Sequence, residues 1–170
     1  MLTRPNAEEF APYFAQYIAK VPDGDVIAFL RQQAQEVEAL FASISEEKAL
    51  LRYAPGKWSV KEVLWHITDT ERIMAYRLLR VARGDTTILP GFDQDVFIEN
   101  ASFDSIPLSA WLQEWQAVRT STFSLLPSIA ESHWLRQGTA SERAVTARAL
   151  AYIIAGHAQH HVDILKERYL

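Results

Sequence analysis

The chain has 170 residues, 49% hydrophobic and 22% charged, which fits one globular domain and excludes a disordered segment. A net charge of −4 and a pI near 5.7 leave no basic footprint for a nucleic acid, and no apolar run is long enough to span a bilayer. Cysteine is absent, so disulfides, thiolate ligands and a cysteine nucleophile are all excluded, and any metal ligand must be nitrogen or oxygen.

The chain starts Met1-Leu-Thr-Arg-Pro-Asn6 without the apolar segment of a secretory signal, and a reducing cytoplasm is the expected compartment. Phe10, Tyr13, Phe14, Tyr17 and Ile18 predict a short extra helix lying across the main body. A first long helix follows Pro22-Asp-Gly-Asp25, with Ile27, Leu30, Ala34, Val37, Phe41 and Ile44 on its apolar face. Gln32, Gln33, Gln35, Glu36 and Glu38 fall on the wet one. The loop Arg52-Tyr-Ala-Pro-Gly-Lys57 separates it from the second helix. There Ser59 and Glu62 form a capping box and Trp58 and Val63 a hydrophobic staple.

The second helix should run from Val60 to Arg83 and stop at Gly84, with Val63, Ile67, Thr70, Met74, Leu78 and Val81 inward and His66 at the edge of that face. A third helix opens at Ser105-Ile-Pro107, with Pro in its first turn and a stripe of Leu108, Trp111, Leu112, Trp115, Val118, Thr122 and Leu125. The fourth starts between Ser141 and Ala147 and ends at Arg168, its stripe Leu150, Ile153, Ile154, His157, His161, Ile164 and Leu165. Without repeats or linkers, residues 1–170 read as a single all-α domain, a four-helix bundle.

Connection lengths constrain its topology. The segment from Gly84 to Ile106 is about twenty residues, enough to travel the ~30 Å length of a bundle helix. Helices two and three can then run parallel, giving an up-down-down-up order with helices two and four antiparallel. His66 lies about seven residues after its helix begins and His161 about seven before its helix ends, so both sit ~10 Å from one end of the bundle.

His157 and His161, four residues apart, project from one helix face and can share an ion, as in zinc-protease helices. The protease reading itself fails, because Ala158 stands where its general-base Glu would be. With His66, three neutral imidazoles with open positions describe a catalytic rather than a structural metal site. Spacing alone also allows plain core histidines, although burying two among Ile154, Ile164 and Leu165 without partners costs free energy. His160 competes as a ligand but points toward Gly156, Asp163 and Glu167, which reads as a position beside the ligands. Asp69 is placed either to orient a metal-bound imidazole or to pair with Arg72 or Arg77. Glu62 is accounted for by its capping role. Glu71 and Arg72 read as solvated charge, His133 as a surface residue, and the tryptophans as core and loop anchors.

Trp58-Ser-Val-Lys-Glu-Val-Leu-Trp-His66-Ile-Thr-Asp69-Thr-Glu-Arg72, together with Ile154-Ala-Gly-His157-Ala-Gln-His-His161, resembles the DinB-like superfamily. Pro55-Gly-Lys-Trp-Ser59, Arg83-Gly-Asp85 and Leu89-Pro-Gly-Phe-Asp93 extend the likeness over nearly the whole chain. The resemblance implies an up-down-down-up four-helix bundle holding a metal ion at His66, His157 and His161; among divalent transition ions, zinc and nickel both suit three imidazoles. It implies homodimers, and it covers S-transferases that use low-molecular-weight thiols as well as a thiol-dependent maleylpyruvate isomerase. A divalent ion with an open position lowers the pKa of a bound thiol, and a chain without cysteine must receive that thiol on a cosubstrate. The expected partners are therefore a small thiol and an electrophile, held under the crossover residues Phe92, Asp93, Asp95 and Phe97. The alternatives are a non-catalytic, stress-associated metal-binding dimer and a hydrolase using metal-bound water, the latter lacking an evident general base.

Overall fold

Four long helices carry the fold, and three begin where a side chain caps them. The computed structural model describes residues 2–101 and 103–170. Its helices are α1 (Ala15–Ile18), α2 (Val26–Ala42), α3 (Glu46–Ala49), α4 (Val60–Ala82), α5 (Gln94–Glu99), α6 (Leu108–Leu125) and α7 (Ala147–Arg168). The side chains of Asp25, Ser59 and Thr146 accept from the first-turn amides of α2, α4 and α7. At Ser59 the full capping box forms, and α4 ends at Arg83 before Gly84, whose φ of +81° is the left-handed stop that glycine favours. Helix α6 differs from expectation. Pro107 is its N-cap rather than its first residue, and the free Leu108 amide donates to Glu46 Oε1 at 2.6 Å. The cap is supplied across the fold.

Contacts at the helix ends establish the directions. Lys61 Nζ donates to Ile106 O near the starts of α4 and α6, and Arg83 reaches Ser128 beyond their ends, so these helices are parallel. Tyr169 donates to Trp58 O, bringing the end of α7 to the start of α4, so this pair is antiparallel. Helix α2 ends beside the start of α6, where the following α3 carries Glu46, and the bundle is up-down-down-up. The segment between α4 and α6 crosses from one end to the other, as its length predicted.

A hairpin of β1 (Gln137–Ala140) and β2 (Arg143–Thr146), which helical periodicity did not anticipate, closes the far end. Its two-residue turn places Ser141 and Glu142 at φ +50° and +63°, and Leu89 of the crossover pairs with its edge. Two glycines permit close approach. A Cβ on Gly138 would stand 2.6 Å from Val81 Cγ2, and one on Gly156 would stand 1.9 Å from Tyr17 O. The second contact seats α1 on α7 beside His157.

The apolar core falls into two clusters, one holding Leu30, Leu78 and Leu150, the other Phe41, Leu64, Trp115 and Leu165. Between them on each bundle helix come polar positions: Gln33, Glu71, Arg119 with Thr122, and His157. The sequence reading is corrected at several of these. Gln33 is buried because α2 turns Val26, Leu30 and Val37 inward, leaving Ile27 and Ala34 only half-buried. Glu71 is buried because Arg119 of α6 pairs with it, and Arg119 replaces Val118 on the inner line of that helix. His133 is half-buried, its Nδ1 enclosed beside Trp134.

Candidate metal centre

Antiparallel packing of α4 on α7 turns three isolated histidines into one cluster. His157 and His161 stand one helical turn apart on α7, and His66 faces them from the second turn of α4. The ring centroids are 4.8 Å apart for His66 and His157, 4.7 Å for His66 and His161, and 4.6 Å for His157 and His161. The Nε2 atoms of His66 and His157 lie 2.9 Å apart, and one potential ligand atom from each of the three falls within 4.8 Å of the others. Aromatic rings enclose the group: Trp58 lies 4.7 Å from His66, and Tyr17 meets His157 edge-on at 5.3 Å.

Burial sets the electrostatics. It pushes His66 down to about 4, with the charge of His160 adding to the effect. His157 and His161 are held well below the ordinary imidazole value, first by burial and then by the neighbouring histidines. All three are therefore neutral near pH 7, which is the ligating form of imidazole. Among the described residues no carboxylate oxygen joins the set. Bonds of 2.0–2.1 Å to one tetrahedral ion separate ligand nitrogens by about 3.4 Å, between the 2.9 Å of the His66–His157 pair and the 4.8 Å limit of the whole set. The donor set fits a divalent transition ion.

The flanking candidates are resolved by their partners. Of the two placements expected for Asp69, the structure shows the pairing with Arg72, whose Nη1 donates to its carboxylate at 3.1 Å; burial raises its pKa and Arg72 opposes that. His160 sits beside the cluster, edge-on to Tyr17 at 5.2 Å and 5.1 Å from the His161 ring. Glu62 accepts from the Ser59 amide at 2.7 Å and is paired with Arg52, which outweighs burial and keeps its pKa low.

A cavity of about 580 Å³ opens on the cluster, within the range of small-molecule sites. His66, Thr70, Met74 and Arg77 of α4 form its floor, and His157 closes one end. The crossover supplies a wall through Phe92, Asp93 and Asp95, as the sequence suggested, whereas Phe97 instead packs on Phe92 at 5.5 Å. Asp95 also lines the adjoining cleft that reaches His161. Sequence reasoning missed Tyr17, the hairpin and Arg77 as parts of this site. Arg77 carried a usable signal: eleven residues after His66 is three turns along the same helix face.

Residues 30–165 match the model of the DinB superfamily. A protein of Geobacillus thermodenitrificans (strain NG80-2), provisionally named a metal-dependent hydrolase, is 22% identical over 137 residues, covering 79% of this chain and 77% of its own. The structure of YfiT from Bacillus subtilis, described as a probable metal-dependent hydrolase with an unusual four-helix bundle topology, matches 96% of this chain and 90% of its own. Its TM-score is 0.76 at 15% identity, a likeness of fold.

Proposed function

The chain belongs to the DinB superfamily, and from that premise we propose that it is a metal-dependent transferase joining a low-molecular-weight thiol to an electrophilic molecule. His66, His157 and His161 would hold the ion, zinc or nickel. When bound, the ion supplies a Lewis acid that lowers the pKa of a thiol at its open position. The observation that carries this reading is a triad of neutral imidazoles, joined by no carboxylate among the described residues, of which His66 and His157 open on a cavity large enough for two small reactants and His161 on the adjoining cleft. The chain's own residues shape that space: Tyr17 and Trp58 pack on the imidazoles, while Phe92 walls the cavity on the crossover side.

Asp95 favours a second reading, hydrolysis, for which it stands as general base in a cavity shared with His66 and His157. The names of the Geobacillus and Bacillus relatives agree with it. One experiment separates the two. Metal-loaded protein is incubated with a panel of small thiols and chloro-dinitrobenzene, and separately with a chromogenic ester. Transfer predicts thiol consumption above the buffer rate that requires metal and vanishes in His66→Ala. Ester cleavage without thiol, lost in Asp95→Asn, would establish hydrolysis in its place.

A further inference from the structure

Two buried polar side chains of α4 line the cavity beside the histidines, Arg77 and Thr70. Arg77 is only 3% exposed, yet among the described residues no carboxylate pairs with it. Its Nη2 donates to Pro90 O at 2.6 Å and to Ser141 Oγ at 3.1 Å, its guanidinium lies 5.8 Å from the Phe92 ring centroid, and among the described residues its Nη1 bonds only the Met74 sulfur, at 3.6 Å. The other buried arginine shows what a closed site looks like, since Arg119 is bonded to Glu71, Gln33 and Leu30 O. A guanidinium taken out of water without a counter-ion is costly unless an anion arrives.

Thr70 is the second. Its hydroxyl is buried without a hydrogen-bond partner among the described residues, whereas Thr68 two residues earlier donates to Leu64 O at 2.8 Å. Both residues line the one cavity. Around the helix, Thr70 and Arg77 stand within about 40° of His66, and along it they lie ~6 and ~16 Å further on. They form a row leading away from the triad.

We propose that the cavity takes a monocarboxylic acid lengthwise, its carboxylate on Arg77, its chain running past Thr70, and its reacting end at His66, His157 and His161. One buried guanidinium matches one negative charge. Asp93 and Asp95 on the crossover wall oppose a dianion, although Asp93 uses Oδ1 to cap α5 at the amides of Asp95 and Val96. Exposed Arg143, on the hairpin rim, adds only a screened positive charge. Tyr13, Phe14, Met74 and Phe92 make the remaining wall apolar, which suits an aryl or alkyl body. The assignment of the reacting end rests on the proposed metal reading, but the carboxylate end is testable without it.

The test uses full-length, chelator-treated protein and calorimetric titration with 3-phenylpropionate, its uncharged analogue 3-phenylpropanamide, and inorganic phosphate. The acid should bind at least tenfold tighter than the amide and tighter than phosphate. Arg77→Gln should cost at least tenfold in affinity for the acid and leave the amide unchanged. Equal binding of acid and amide, tighter binding of phosphate, undiminished acid binding by Arg77→Gln, or no acid binding at millimolar concentration would each overturn the proposal. Should Arg77→Gln not fold, the comparison of acid with amide on the unaltered protein still decides. Because no ion is present, these outcomes stand apart from failure of the metal or thiol readings.

Discussion

Two buried polar clusters lie within this bundle, and they are built on opposite plans. In the first, Glu71 accepts from Arg119 Nε at 2.8 Å and Nη2 at 2.9 Å and from Thr122 at 2.8 Å. Arg119 Nη1 turns to Leu30 O and Gln33, and Gln33 donates to Ala155 O at 2.9 Å. Charges cancel, donors meet acceptors, and no ligand is wanted. In the second, three neutral imidazoles are joined by one close contact, Nε2 to Nε2 between His66 and His157; these two face the cavity, and His161 faces the adjoining cleft. The difference teaches that burial of polar groups is not itself a sign of function. What marks a site is burial left incomplete by the protein's own partners.

The largest expected effect breaks the closed cluster. Arg119→Ala leaves Glu71 buried without its counter-ion and should cost about 3–5 kcal/mol in urea unfolding. The double variant Glu71→Leu with Arg119→Met should recover most of that, because replacing a buried pair by apolar groups is often neutral. If it does not recover, the network determines the fold beyond its own electrostatics. Metal content should be unchanged in the double variant.

A pH series sharpens the contrast from the other side. The folded pKa of His66, about 4, lies below the unfolded value of 6.5, so between them the unfolded chain holds the proton that the folded chain refuses. Stability of chelator-treated protein should therefore be complete above pH 6.5 and fall on acidification toward pH 4, by on the order of 3 kcal/mol from His66 alone. His157 and His161, also depressed, steepen the same slope. The half-buried Glu9 and the buried Glu62, with lowered pKa values, keep their stabilisation down to about their unfolded value of 4.5 and lose it only below, whereas Asp69, raised by burial, opposes the histidine slope. His66→Asn should flatten that slope; an unchanged slope would mean that the imidazole is not sheltered.

The smallest of the three effects completes the open cluster. Zinc or nickel at a hundredfold excess over its dissociation constant should stabilise the fold by about 2.7 kcal/mol, read as a rise in melting temperature. His157→Ala with His161→Ala should abolish that rise and the metal found by elemental analysis, whereas His160→Ala should weaken binding modestly. Retention of stoichiometric metal by the double variant would remove His157 and His161 from the ligand set.

Much of this was readable from residues in local sequence. The cap at Ser59, the stop at Gly84 and the face through Val63, Ile67, Met74 and Val81 depend on neighbours within a turn or two, and they form as written. The parallel pairing of α4 with α6 followed from the length of the crossover, and the meeting of His66 with His157 and His161 followed from equal offsets along antiparallel helices. The sequence by itself therefore determined where helices start, which stripe they bury and which three imidazoles can converge, because helical geometry is periodic and short-ranged. Tertiary structure alone decided the rest. Glu46 caps α6 from another helix, Arg119 draws Glu71 and Gln33 into the interior, Leu89 joins a hairpin about fifty residues away, and Arg77 is buried facing a cavity rather than solvent. A charged residue looks solvated in sequence until a partner from a distant segment is known. Its burial is a balance between desolvation and a contact that no local pattern encodes.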